Sequence, residues 1–392
     1  MKKQKYTTKL LAILILISSM SGVVAQANPT YSEAVEARIK AVENSLRDKP
    51  LDSNSTALNL LERMKVHKTP AVSIAVIKNY ELDWAKAYGF ADKETQIPAT
   101  TETLFQAASI SKSLNAVGVL RWAETNTIDL NADINTYLKN WTFENRKKAN
   151  GKTISIANLL SHTAGLSVHG FGGYEVGDAL PTTIQILDGK KPTNTKKIKS
   201  LFEPNTKFKY SGGGTTITQL ILEDNTGLNY GIYMKEQILN PIGMTDSFFT
   251  QPPPKDEPLA TGHWSKGEPL KTKYHVYPEM AAAGLWTTPT DLSKYIIEMQ
   301  KSLKGESNKL LSKDMTEKMM TPFLEGEATG FGVFISEILG EKYFQHGGSN
   351  EGFKCHYYAS LEDGNGVVVM VNSENYDIIT EIFRSVVKVY EW

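Results

Sequence analysis

The chain has 392 residues, 41% of them hydrophobic and 22% charged, with 43 basic and 43 acidic side chains in balance. That composition is ordinary for a folded globular protein, and the length allows one large core or two coupled lobes. The cancelled charge, with no basic stripe interleaved with aromatics and no acidic tail, excludes nucleic acid as an expected partner.

The first residues read as an address rather than as structure. Lys2, Lys3, Lys5 and Lys9 form a positive start, residues 10–17 are an unbroken apolar run, and Ala25-Gln26-Ala27 fits a small-x-small cleavage site. Residues 1–27 are therefore expected to be a signal peptide, and the protein to be exported, periplasmic or secreted. A spanning helix wants about 20 apolar residues, and serines interrupt this run, so no stable membrane anchor is expected after cleavage. The alternative is that the segment stays attached as an anchor helix.

Amphipathic helices are expected over 31–47 and 56–65, separated by a polar break at 48–55. The period then changes. Residues 71–77 alternate small with β-branched side chains, as a strand does, and the small face would let a helix lie close; a second strand follows over 82–90. From about 100 to 285 the pattern is mostly helical, with helices at 109–126, 156–161, 215–226 and 230–240 and a proline-marked loop at 252–254. Thr288, Pro289 and Asp291 together make a helix start. Strand character returns at 331–335, 342–345, 353–360 and 367–372, and a last helix spans 376–390. The single cysteine, Cys355, falls in an alternating run where it would face inward with Phe353 and Tyr357, as a buried structural thiol. Strands at both ends with helices between imply an α+β fold: an antiparallel sheet built from both chain ends, flanked by helices, with an inserted mostly helical domain. The expected divisions are 28–100 for the N-terminal helices and first strands, 101–285 for the helical domain, and 286–392 for the rest of the α/β part.

Ser109-Ile110-Ser111-Lys112 is a Ser-x-x-Lys pair where a loop meets a helix. A spacing of three puts both side chains on one helical face, within hydrogen-bonding reach. A serine hydroxyl needs a base, and lysine serves if burial disfavours its ammonium form. The motif alone is weak, arising about twice by chance in such a chain. Ser385-Val386-Val387-Lys388 repeats the spacing inside the last helix without partner motifs and reads as incidental. Ser109 has company: Tyr210-Ser211-Gly212 opens a glycine-rich entry to the helix at Thr215, where backbone freedom permits close approach to a ligand. His346-Gly347-Gly348-Ser349 ends a predicted strand, and residues 159–166, Leu-Leu-Ser-His-Thr-Ala-Gly-Leu, end a helix in a glycine turn.

On these motifs, in this order and spacing, the chain resembles the serine β-lactamase and penicillin-binding-protein superfamily. Within it, the match is to the branch of class C β-lactamases, D-peptidases, DD-carboxypeptidases and esterases. The resemblance spans roughly residues 55 to 390. It implies that Ser109 attacks a carbonyl, that Lys112 and Tyr210 carry the proton to the leaving group, and that the oxyanion sits between the backbone N–H groups of Ser109 and Ser349. Gly348 belongs to the same strand motif, and His346 would line the cleft and steer substrate or proton. The substrate would be a small molecule, ester or peptide, including D-residue and cell-wall-derived peptides. Many members carry Asn where Gly212 stands, so feeble β-lactam turnover is expected.

Other constellations are poorer. No G-x-S-x-G elbow accompanies the His-Gly-Gly, and the seven histidines show no metal-ligand spacing, so neither metal nor cofactor is expected. His162 and His169 read as satisfied structural histidines, and Trp286 as core or cleft wall. The rival functions are a class C-like β-lactamase and a non-catalytic protein that binds a cell-wall fragment. Intact Ser109, Lys112 and Tyr210 argue against the latter.

Overall fold

The computed structural model describes residues 29–50, 55–144, 148–338 and 340–392. The signal-peptide expectation over 1–27 lies outside them, and no described helix is long and apolar enough to cross a membrane.

The frame is a seven-stranded antiparallel sheet. Its order is Ile97–Pro98, Glu81–Asp92, Ala71–Lys78, Gly366–Val371, Phe353–Ser360, Glu341–Asn350 and Phe334–Ile338. The two chain ends meet at the middle, where Val72 pairs with Val371 and Val76 with Val367.

Alternation decides which face each residue buries. Val72, Ile74 and Val76 join Trp84, Val367 and Val369 on one face, under the helices Glu33–Glu43 and Asp377–Tyr390. The opposite face of the first strand is small, with Ala71 and Ala75, and the helix Pro289–Lys304 packs there through Leu292, Tyr295, Ile296 and Met299. That helix starts as its sequence implies: Thr288 Oγ1 accepts the Asp291 N–H at 3.1 Å, behind Pro289. Arg63 grips Glu381 through two hydrogen bonds of 2.7 and 2.6 Å, fixing the helix Leu60–Val66 to the C-terminal helix.

The helical part packs on the second face around Ser111–Asn126. This helix is buried on nearly every side, from Ser111 to Leu120 without a break, as a helix at the centre of a core is. Trp286 belongs to the core, edge-to-face with Phe353 and Tyr274. Cys355 is buried with Phe353 and Tyr357, and its thiol donates to the Ala107 carbonyl. The second Ser-x-x-Lys pair is structural: Ser385 Oγ donates to the Val42 carbonyl, 2.7 Å away, between the two terminal helices.

Three local expectations need correction. The helix after the nucleophile begins at Ser111, behind a 3-10 turn, Ala108–Ile110. The helix expected from Thr215 begins at Gly212, so the glycines are its first turn and not a flexible approach. The strand expected over 331–335 runs over Phe334–Ile338. Gly332 takes a positive φ of 68°, donates to the Leu160 carbonyl and accepts from Ser113 Oγ, so tertiary bonds hold that segment out of the sheet.

Candidate active site

Ser109 stands on the 3-10 turn, directly after Ala108, whose φ is +48°. A left-handed alanine is strained by roughly 1 kcal/mol, a conformation that persists only where surrounding structure imposes it. Here the Ala107 N–H donates to the Leu285 carbonyl at 2.9 Å, and Ser111 Oγ accepts the Leu285 N–H at 3.0 Å. The turn is thus clamped on both sides of the nucleophile.

Lys112 Nζ lies 3.0 Å from Ser109 Oγ and donates to the Ala282 carbonyl at 2.6 Å. The side chain is 3% exposed, and burial pulls its pKa down to about 7. Among the described residues no carboxylate lines the cleft to restore the charge. Glu279, close in sequence to Ala282, is itself buried and pushed up to about 8. A neutral amine at this distance can take a proton from the serine.

Tyr210 brings its hydroxyl into hydrogen-bond reach of Ser109, while burial raises its pKa, so the phenol keeps its proton at neutral pH. Lys112 Nζ stands 5.0 Å from the Tyr210 ring centre. The ring is caged by His162 at 4.4 Å, His169 at 4.9 Å, and Phe334 and His346 at 6.4 and 6.3 Å between ring centres. His162 does more than fill space. Its Nδ1 accepts the Ser211 N–H at 3.3 Å, which fixes the peptide next to Tyr210. It is a satisfied histidine, and it is also part of the site, since burial keeps it neutral and able to accept.

The strand Glu341–Asn350 supplies the opposite wall. Its outer neighbour pairs only with residues 341–345, so the edge over 346–350 is left uncovered by that strand and meets the Ser109 turn. The strand runs on through the His-Gly-Gly-Ser motif at its end, which is in register with Tyr357, His356, Cys355 and Lys354. At Gly348 an added Cβ would lie 2.3 Å from both the Ala107 carbonyl oxygen and Cys355 Sγ. Only glycine lets the strand come this close to the nucleophile turn. His346 lines the cleft as expected, but it is no cation. Burial first, then the nearby Lys112, hold its pKa down to about 3.

Gly212 is filled in from outside. A Cβ there would come within 2.9 Å of Phe171 Cε2 and 3.1 Å of the His169 carbonyl oxygen. The Gly212 N–H donates to that carbonyl at 3.0 Å. An asparagine at this position would displace the 169–171 loop.

The structure thus brings Ser109, Lys112, Tyr210, His346, Gly348 and Ser349 to one cleft of about 790 Å³. Sequence reasoning did not assign Phe171, Phe334, Lys354 or His356 to it, all of which line the wall. Only the alternation of 353–360 hinted at Lys354 and His356, by placing them opposite Cys355.

The Beta-lactamase family model matches residues 58–380, and the chain belongs to that family. PbpX of Bacillus subtilis (strain 168) is 25% identical over 303 residues, 76% of this chain and 69% of that one. The octameric penicillin-binding protein homologue from Pyrococcus abyssi superposes with a TM-score of 0.72 at 25% identity, over 85% of this chain and 76% of that one. D-amino acid amidase from Ochrobactrum anthropi SV3, in complex with L-phenylalanine amide, shares the fold at a TM-score of 0.68 and 20% identity, over 91% of this chain and 99% of that one.

Proposed function

We propose that this chain is a serine hydrolase that forms an acyl-enzyme on Ser109 from a small peptide, amide or ester. The observation that carries the reading is the 3.0 Å contact between Ser109 Oγ and a lysine amine whose pKa burial lowers to about 7. The neutral Lys112 amine takes the hydroxyl proton as Oγ bonds to the substrate carbonyl carbon. The bond to the leaving group then breaks, and the leaving atom receives its proton by way of the Tyr210 phenol. Water reverses these roles to release the acid and restore Ser109. The backbone N–H groups of Ser109 and Ser349 hold the oxyanion, a contribution of about 3 kcal/mol each.

The walls indicate substrate class. Phe171, Phe208 and Phe334 offer an apolar side, and among the described residues no carboxylate lines the cleft to meet a free ammonium. N-blocked D-aminoacyl peptides and uncharged esters therefore fit better than free amino-acid amides, while Lys354 on the rim suits a substrate carboxylate. The D-residue preference draws support from the fold shared with a D-amino acid amidase. With Gly212 in place of an amide side chain, β-lactams bind poorly. The neutral His346 adds no positive charge to grip them. The test compares kcat/KM on N-acetyl-D-alanyl peptides, p-nitrophenyl acetate and nitrocefin. Far faster turnover of nitrocefin refutes the substrate assignment. Export with removal of residues 1–27 is part of the same reading, and the intact mass of the secreted protein checks it.

A further inference from the structure

A second groove, of about 630 Å³, runs between the helix Leu60–Val66, the strand Glu81–Asp92 and the loop at 266–267. Leu61, Met64, Pro70 and Phe90 line it with apolar surface, and four exposed lysines, Lys65, Lys68, Lys93 and Lys266, stand around it. None of the four is ion-paired among the described residues, although Glu62, Glu94 and Glu268 are close in sequence. Two large apolar side chains are displayed beside it: Leu61 at 54% exposure and Trp264 at 38%.

Each feature alone is ordinary for a surface. Together they select one chemistry. A purely anionic polymer would leave Leu61 and Trp264 in water. A purely apolar partner would strip four ammonium groups of water and return no counter-charge. A lipid with an anionic headgroup satisfies both, because lysine stems lie along apolar surface with their heads among phosphates, and tryptophan favours the headgroup layer. We propose that this face docks the protein onto an anionic lipid bilayer, with Leu61 and Trp264 entering the headgroup region and the four lysines meeting lipid phosphates. Docking would hold the catalytic cleft near the surface. The loop that carries Trp264 and Lys266 follows His263, whose N–H donates to the Gly352 carbonyl, two residues beyond Asn350 in the cleft wall.

The test is cosedimentation of the exported protein, without residues 1–27, with phosphatidylcholine vesicles, with and without phosphatidylglycerol. A lysine near an anionic surface contributes about 1 kcal/mol, or roughly fivefold in partitioning. The K65E/K68E/K266E variant should therefore lose roughly 100-fold in binding to phosphatidylglycerol vesicles, and K65R/K68R/K266R should keep it. Residual binding to phosphatidylcholine alone should be equal in all three proteins, which share Leu61 and Trp264. Unchanged turnover of a soluble ester by the charge-reversed variant shows that it is folded. Equal binding of the unsubstituted protein to both vesicle types overturns the proposal, as does a charge-reversed variant that keeps the preference for phosphatidylglycerol. Displacement by inorganic phosphate, beyond that by chloride at equal ionic strength, overturns the bilayer as the occupant.

Discussion

Replacing Lys112 with Met should abolish turnover and at the same time stabilise the fold at neutral pH. In the unfolded chain the lysine regains an ordinary pKa of 10.5, whereas burial in the native cleft lowers it to about 7. At pH 7 the unfolded state therefore binds more protons than the native one, and stability rises with pH between about 7 and 10.5. For one fully buried lysine the penalty at pH 7 is on the order of 4 kcal/mol, at about 1.4 kcal/mol per tenfold. Met removes that penalty but also the hydrogen bonds to Ser109 Oγ and the Ala282 carbonyl, together about 1–3 kcal/mol. A net gain of roughly 1–3 kcal/mol should remain at pH 7 and vanish towards pH 10, read from urea denaturation at both values. In the unsubstituted protein, kcat/KM on an uncharged ester should fall about tenfold per pH unit below 7, because only the neutral amine accepts the serine proton. A Met variant less stable than its parent at pH 7, together with a flat pH profile from 5 to 9, would refute the reasoning.

Three further outcomes are expected. A fluorophosphonate should acylate Ser109 alone, and mass mapping of the adduct to another serine would remove the proposed nucleophile. Tyr210→Phe should lower turnover by about 100-fold with an unchanged urea midpoint, as loss of a positioned proton carrier does; near-normal turnover would break the proposed proton path. Gly348→Ala places a methyl 2.3 Å from the Ala107 carbonyl oxygen and Cys355 Sγ, which should cost about 1–3 kcal/mol by overpacking and displace the Ser109 turn. Adding Cys355→Ala should not restore labelling of Ser109, because the backbone carbonyl stays in the way.

The strongest periodicities in the sequence carry through to the fold. Alternation over 353–360 matches the strand Phe353–Ser360 residue for residue, and the small face of 71–77 does receive a helix. Boundaries set by long-range bonds were not legible. Residues 346–350 lack strand-forming side chains and extend only because Phe353–Ser360 pairs with them. Phe331 and Val333 have such side chains, yet Leu160 and Ser113 hold Gly332 between them out of the sheet. In the site, Ser109 and Lys112 were readable because one helical turn joins them. The cage around Tyr210 was not, since His162, Phe334 and His346 come from three distant segments. The charge of His346 depends on its burial, and no motif reveals burial.

The meeting of the two chain ends at the centre of the sheet has a consequence for biosynthesis. Val72 finds Val371 only after all the residues between them have been made, so the middle of the sheet closes late during synthesis, with the slow kinetics of non-local pairing. Until then the strand Ala71–Lys78, rich in β-branched residues, has a bare edge open to any other extended chain. A premature stop before Gly366, where the partner strand begins, would make that state permanent, and its product should aggregate rather than persist as a weakened enzyme.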